Sequence, residues 1–466
     1  MKSVFKKSLP AILAGTALMA ASAAALAADP ATMPNDDIQK QLNELQAKVS
    51  QLQEQQKQSE QATISSVLSD AHNRSQLLAD GADITSGYDK GFFLQSADKT
   101  FTLKPGFVFQ VRNATNWRQD AKNGGTSDDI QNGWEIRRVK LYASGNMYGP
   151  DVTYGIQLTN NRNAATIELD DVWVQWRFQP HFAVKAGQYK GPFSREELVS
   201  DSNQIAVERS LLNEVLGGGQ TGPRAQGVSL IAGAGGEDLG KDPFRAEIMW
   251  EDGDGTPNTN FQDTSGTTPD TRPDFGAIGR VDYKFFGDWN NLNKMSAKTT
   301  KDDLLVLGGA VAVSGNQGNN NYRGTVDVMY QGLDGKLGVY GAGIVSYTDF
   351  RNTAAGAEDT RTDYGALIQA GYLVAPEWEP FVRADMVWID DDFIVAGAGG
   401  DNGFPELTVG VAYYFGKDGS AFNRAKLTLD ATYLPSGAPG DRTGTDELNN
   451  GGRNEIVVRA QMQFAI

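Results

Sequence analysis

From Gly91 to Ile466 the apolar residues recur at every second position, and that period constrains the fold more than any other feature of the sequence. In the stretch 101–112, Phe101, Leu103, Phe107, Phe109 and Val111 share one face, opposite Thr102, Lys104, Gln110 and Arg112. The final run repeats the pattern, with Ile456, Val458, Ala460, Met462, Phe464 and Ile466 alternating with Val457, Arg459, Gln461, Gln463 and Ala465. Similar runs occupy 150–160, 243–250, 277–285, 337–347, 364–374, 407–415 and 425–433. Together they predict about sixteen strands, each with one apolar face and one face carrying Arg, Lys, Gln and Thr.

The connections fall into two classes. Short turns sit at Tyr148-Gly149-Pro150-Asp151, Gln179-Pro180-His181, Asp334-Gly335-Lys336 and Ala375-Pro376-Glu377. Long acidic loops sit at 251–274, 389–403 and 435–453. Their alternation is that of an antiparallel transmembrane β-barrel with turns at one end and loops at the other. Two connections break the rule: 286–302 is long where a turn belongs, and 160–166 is short where a loop belongs. A sandwich or propeller also alternates, but no 40–50-residue repeat supports a propeller.

The N-terminus assigns the compartment. Lys2, Lys6 and Lys7, an apolar core at 12–19 and the Ala25-Leu26-Ala27 pattern predict a signal peptide over 1–27, with the mature chain starting at Ala28. Loss of those lysines leaves 39 basic against 58 acidic residues, a formal charge of −19 that argues against nucleic acid as a partner. With no cysteine, and with only His72 and His181, the chain offers neither a nucleophile–histidine pair nor a metal cluster. No enzymatic role, metal or cofactor is therefore expected. Asp170-Asp171 and Glu196-Glu197 are adjacent pairs, which on a regular strand point to opposite faces.

Residues 28–60 predict a periplasmic coiled-coil segment. Its seam is Ile38, Leu42, Leu45, Val49 and Leu52, with Leu42, Val49 and Gln56 at a and Ile38, Leu45 and Leu52 at d. Residues 61–90 read as a linker and 91–466 as the barrel. The connection at about 191–225 is long, begins Gly191-Pro192-Phe193, carries helix-like material around Ile205 to Val215, and mixes both charges. Such a loop, folded into the lumen, would form a constriction where fixed charges sort ions. Its Gly217-Gly218-Gly219 run permits a tight bend.

The stretches IRRVKLYASGNMYGPDVTYGIQL at 136–158, LDDVWVQWRF at 169–178 and VKAGQYKGPFSREELVSDSNQIAVERSLLNEVL at 184–216 resemble the phosphate-selective porin O and P family of Gram-negative outer membranes, supported by 378–388 and 457–464. The resemblance implies a sixteen-stranded homotrimeric barrel, narrowed by its third loop, in the outer membrane among lipid and lipopolysaccharide. Basic lumenal residues would guide small anionic or neutral solutes, phosphate-like anions among them. Strand parity together with the resemblance nominates Arg137, Arg138, Lys140, Lys185, Lys190, Arg195, Arg209 and Arg224 as pore-lining, anion-binding residues. Parity also turns Arg112, Arg280, Lys426 and Arg459 inward, along with Glu247, Asp282, Asp385 and Asp430. The alternative is a structural protein whose coiled coil ties the membrane to peptidoglycan, with incidental conduction. Deleting 28–80 separates the two: unchanged permeability with detached envelopes supports the tether, and intact envelopes remove it.

Overall fold

The computed structural model describes residues 40, 43–44, 46–59, 63, 65–66, 84–88, 91–119, 129–161, 166–218, 224–233, 242–252, 275–315, 319–351, 358–393, 402–439 and 453–466. Two compact units divide the chain, 1–83 and 84–466. In the first, residues 46–59 are helical, and Val49 and Leu52 are exposed. The remaining seam positions Ile38, Leu42 and Leu45 lie outside the described residues, as does the signal segment 1–27.

The second unit contains β1 (Ile84–Tyr88), β2 (Phe92–Ser96), β3 (Thr102–Gln119), β4 (Asp129–Asn146), β5 (Val152–Asn161), β6 (Thr166–Gln179), β7 (Phe182–Lys190), β8 (Arg224–Ala232) and β9 (Phe244–Glu251). It continues with β10 (Phe275–Phe286), β11 (Leu304–Gly315), β12 (Asn319–Gly332), β13 (Leu337–Phe350), β14 (Thr360–Tyr372), β15 (Trp378–Trp388), β16 (Gly403–Tyr414), β17 (Ala425–Leu434) and β18 (Arg453–Ala465). Each strand from β3 onward pairs antiparallel with the next. β18 then returns to β3, with Gln461 opposite Arg112 and Phe464 opposite Phe109, so sixteen strands close a ring. β1 and β2 form a separate hairpin that pairs with the ring through Leu94 and Gln95 of β2. This corrects the expected 61–90 linker: its last residues, Ile84–Tyr88, are a strand, and the boundary moves to 83/84.

Burial is the inverse of that in a water-soluble protein. Arg112, Gln110 and Gln463 are 0% exposed, whereas Trp134 is 75% and Trp250 72% exposed on the outer face. In water such a surface would be unfavourable by about 25 cal/mol per Å²; against lipid it is the stable arrangement. Aromatic residues collect at both rims. Phe244, Tyr283 and Phe285, with Trp378, Tyr413 and Phe415, pack at the end carrying the short turns. Tyr322 against Tyr347 and Tyr364 against Trp388 pack at the other. Tyr364 and Tyr372 bracket β14 at about 27 Å of extended strand. Tilted, that length approaches the ~25 Å apolar band of outer-membrane barrels.

Two irregularities decide which charges reach the lumen. Gln110 pairs Arg138 while Val111 pairs Ile136, so Arg137 is an extra residue in β4. Likewise Gln157 pairs Asp171 and Leu158 pairs Leu169, leaving Asp170 as the extra residue in β6. A bulge turns two consecutive side chains to one side. Arg137 and Arg138 both reach the third loop, and Asp170 and Asp171 both meet Arg224. The expectation that Asp170 and Asp171 face opposite sides is therefore corrected.

Inside the ring, an apolar patch spreads over β11 to β15. Leu304, Val306, Ala310, Met329, Tyr340, Ile344, Leu367, Phe381 and Val387 form a buried core with Ile205, Leu211, Leu212, Val215 and Leu216 of the third loop. The long connection 287–303 adds Trp289, Leu292 and Met295 to the same core. Deleting Arg137 removes the bulge but keeps Ile136 outward and Arg138 inward, so the variant should still give a heat-modifiable folded band on denaturing gels. Deleting Lys140 inverts one half of β4 and should abolish that band.

Candidate permeation constriction

The third loop leaves β7 at Gly191-Pro192 and rejoins the wall at Arg224. It contains two short helices, Arg195–Leu198 and Leu211–Leu216, so the helix expected around Ile205 to Val215 starts later than its pattern suggests. Both helices are capped by serine. Ser194 Oγ accepts from the Glu197 N–H at 3.4 Å, and Ser210 Oγ accepts from the Asn213 N–H at 3.1 Å. The caps are joined: Ser194 donates to Asn213 Oδ1 at 2.7 Å, and Glu196 accepts from the Ser210 N–H and hydroxyl at 2.8 and 2.6 Å. The second helix ends at Gly217, and Gly218 at φ +110 turns the chain away.

The barrel wall holds the loop by its backbone. Asp430 accepts from the Val207 N–H at 2.9 Å, Glu406 from Leu211 at 3.0 Å and Asp385 from Leu212 at 2.9 Å. Arg383 donates to the carbonyls of Glu208 and Arg209, and Lys426 to that of Gln204. Glu406 and Asp385 thus satisfy N–H groups that the first turn of the second helix leaves without partners, and Asp430 fixes the chain before it.

Charge then joins the loop to β3 and β4. Glu208 accepts from Arg112, Arg137 and Arg138 together, the last at 2.9 Å. Asp201 meets Lys140 at 2.5 Å and Arg209 at 2.6 Å. Arg209 continues to Glu197 at 3.1 Å, and Lys190 to Glu197 at 3.2 Å. Lys140 also lies 3.4 Å from Asp170, which with Asp171 binds Arg224 at 2.6 and 2.7 Å. A second cluster joins Arg195 to Asp282 at 2.6 Å and Arg280 to Asp282 and Asp327, both at 2.7 Å. Gly308 makes room for this cluster, because a Cβ there would stand 2.1 Å from Arg280 Nη2.

The loop carboxyls record these surroundings. Burial alone would raise Glu208 and Asp201, but the adjacent arginines and Lys140 outweigh it and hold both well below the usual carboxylate range. At Glu214 the balance is reversed: burial, then repulsion from Glu208, outweighs Arg209 and Arg137 and pushes it up to about 7. Removing a proton there as pH rises through neutrality therefore works against the folded loop.

Seven of the eight residues nominated from the sequence are ion-paired. Arg137, Arg138, Lys140, Lys190, Arg209 and Arg224 share the first network, and Arg195 belongs to the second. Lys185 differs. Its ammonium lies over the rings of Trp173 at 4.7 Å and Tyr189 at 3.9 Å, with no carboxylate at ion-pair distance among the described residues. Sequence reasoning missed the neutralising partners, Glu208 and Asp201 above all. The available signal was the excess of acids in the loop itself, five against three bases over 191–225.

Two openings flank the loop. One, about 270 Å³, lies between Ser200, Ser202 and Asn203 and the wall at Lys140, Tyr142, Gln157, Asp171 and Trp173. The other, about 180 Å³, is bounded by Arg195, Arg245, Glu247, Arg280 and Asp282.

A closed sixteen-stranded barrel with an apolar outer band, aromatic rims and a charged loop folded into its lumen is the architecture of an outer-membrane porin, a channel for passive diffusion of small hydrophilic solutes. Residues 109–237 match the family model of the phosphate-selective porin O and P. No curated protein matches the sequence. Among solved structures, the chain is similar to the anion-selective porin from Comamonas acidovorans at 13% identity, covering 78% of this chain and 100% of that one, with a TM-score of 0.49. It is also similar to the outer membrane channel DcaP of Acinetobacter baumannii at 13% identity, covering 78% and 97%, with a TM-score of 0.47. Pseudomonas putida OprB matches at 10% identity over 78% and 94%, with a TM-score of 0.49.

Replacing Glu208 by Ala leaves the guanidiniums of Arg112, Arg137 and Arg138, two of them buried, without their shared carboxylate, a loss of about 3–5 kcal/mol. The temperature at which the folded gel band converts to the unfolded one should fall clearly. In the wild type, the lowered carboxyls of Glu208 and Asp201 give a stabilisation that is full above the ordinary carboxylate pKa. The same conversion temperature should therefore change little between pH 8 and 6 from these groups and drop as acid protonates them below about pH 4.

Proposed function

We propose that the porin favours small anions, phosphate-like ions included, and that Lys185 is the fixed charge they meet. The single observation that carries this reading is the pairing pattern. The arginines and lysines of the loop network are already neutralised by carboxylates, whereas Lys185 has only two aromatic faces beneath it. Aromatic rings hold an ammonium without cancelling its charge, so it remains available to an ion passing between the openings beside the loop. Lys185 is then the selectivity-setting charge, with the arginine network as scaffold.

The assembly we propose is a homotrimer in the outer membrane, among lipid and lipopolysaccharide, with the N-terminal segment in the periplasm. Support comes from the outer face of β3 and β4. There Asn132 donates to Asn113 at 3.1 Å and Thr115 at 2.6 Å, in a wall otherwise made of apolar residues. A polar cluster at that depth is better covered by protein than by lipid. One of the protein chains of a solved neighbour, OmpT of Vibrio cholerae, is described in a trimer form. The exposure of Val49 and Leu52 on the 46–59 helix fits a seam shared between copies.

The test is single-channel recording in a planar bilayer, with the reversal potential taken across a KCl gradient, on protein that runs unheated as a trimer. Wild type should show an anion-directed potential and block by added phosphate. Lys185→Glu should lower the anion-to-cation permeability ratio at least fivefold, since a unit charge at ~4 Å is worth about 1 kcal/mol even in bulk water. A cation-directed wild-type potential, unmoved by Lys185→Glu, overturns the reading.

A further inference from the structure

The connection between β10 and β11 joins neighbouring antiparallel strands, for which two to five residues suffice. It runs instead from 287 to 303, and the surplus chain turns inward. Gly287, at φ +96, starts the bend, and Asp288 caps a short 3-10 turn by accepting from the Asn290 N–H at 2.9 Å. Trp289 is inserted beneath the wall: its Nε1 donates to the Asp242 carbonyl at 2.8 Å, and Arg245 and Lys284 stand over its ring. Leu292, Met295 and Ala297 are 1%, 4% and 0% exposed.

From there the segment crosses the inner wall toward the far strands. Ser296 donates to Glu379 of β15 at 2.6 Å, and Lys298 Nζ to the carbonyls of Pro376 at 2.6 Å and Asp418 at 3.2 Å. Gln331 of β12 donates to the Lys294 carbonyl at 2.8 Å and accepts from Thr300 at 2.7 Å. Close approach is built into the wall, since a Cβ at Gly338 would stand 2.9 Å from the Met295 carbonyl. Midway, the segment meets the third loop coming from the other end of the barrel. The Met295 N–H donates to the Asn203 carbonyl at 3.1 Å, and Asn203 Nδ2 donates to the Asn293 carbonyl at 2.9 Å. Asn423, in the turn between β16 and β17, also holds Asn203 at 3.1 Å.

We infer that residues 287–303 are a second, fixed constriction: a strap that closes the turn-end mouth beneath β12–β17, so that solute crosses only beside β3–β10. Both openings described above lie on that side, and the strap contributes Asn293 to the smaller one. The inference rests on the permeation reading but not on its ion preference. Ser296, Thr300 and the backbone of Asn293, Lys294 and Met295 all bond to barrel wall or third loop, which is the pattern of a built partition and not of a surface turn.

The experiment replaces Trp289–Lys301 with Gly-Asn-Gly and measures single-channel conductance and the size of polyethylene glycol excluded from the pore. Conductance should rise at least twofold, with larger glycols entering from the turn end. An unchanged conductance and exclusion size in a folded, heat-modifiable variant overturns the inference. Should the shortened barrel not assemble, Asn203→Cys with Met295→Cys decides. The natural chain has no cysteine, and a backbone hydrogen bond already joins these residues. Complete disulfide formation in the folded protein, with wild-type conductance, supports a fixed contact. Failure to oxidise, or a conductance changed by oxidation, overturns it. If Lys185→Glu leaves selectivity unmoved while strap removal opens the pore, the anion preference fails and the strap stands.

Discussion

Closure of β18 onto β3 is the condition on which everything else in this barrel depends. In hydrocarbon no water satisfies a free N–H or carbonyl, so a sheet can lie in a membrane only without edges. Once the ring is shut by the pairing of residues 453–465 with 108–119, the outer face is free to be apolar and the lumen is sealed from lipid. The chain end takes part: the Ile466 N–H and carbonyl exchange hydrogen bonds with Phe107, and Tyr142 donates to the same carbonyl.

Inside the ring, two kinds of interaction divide the labour. The apolar patch on β11 to β15 gives the third loop a hydrophobic seat, with Leu211 and Leu212 at 0% exposure. The cations of β3 and β4 draw it across by charge through Glu208 and Asp201. Either alone would leave the loop hinged on one side. Together they stretch it over the lumen, where the desolvation of its acids is offset by several cations acting on each carboxylate.

The barrel was legible because strand parity is a local property. Arg112, Arg280, Lys426, Arg459, Asp282, Asp385 and Asp430 are all buried, as alternation alone assigns them. Parity fails where the register slips, which is why Asp170 and Asp171 read as opposed when they act together. It also fails along β11, whose sequence is apolar on both faces because the inner face belongs to the core under the third loop. The pairing of the site residues was not legible. Glu208 and Arg112 are far apart in the chain, and nothing local indicates that a loop acid will neutralise three wall arginines. The inward path of 287–303 left only one trace, its length.

The two bulges have a consequence for how such a wall can diversify. On a regular strand, an extra lumenal charge displaces an outward side chain and alters the lipid-facing surface. At Arg137 and Asp170 the added residue is accommodated by a dislocation, and Ile136, Val139, Leu169 and Val172 keep their outward positions. Inner chemistry and outer solvation are thereby uncoupled at these two levels of the wall. Substitution at either position can retune the interior while the surface presented to the bilayer stays the same.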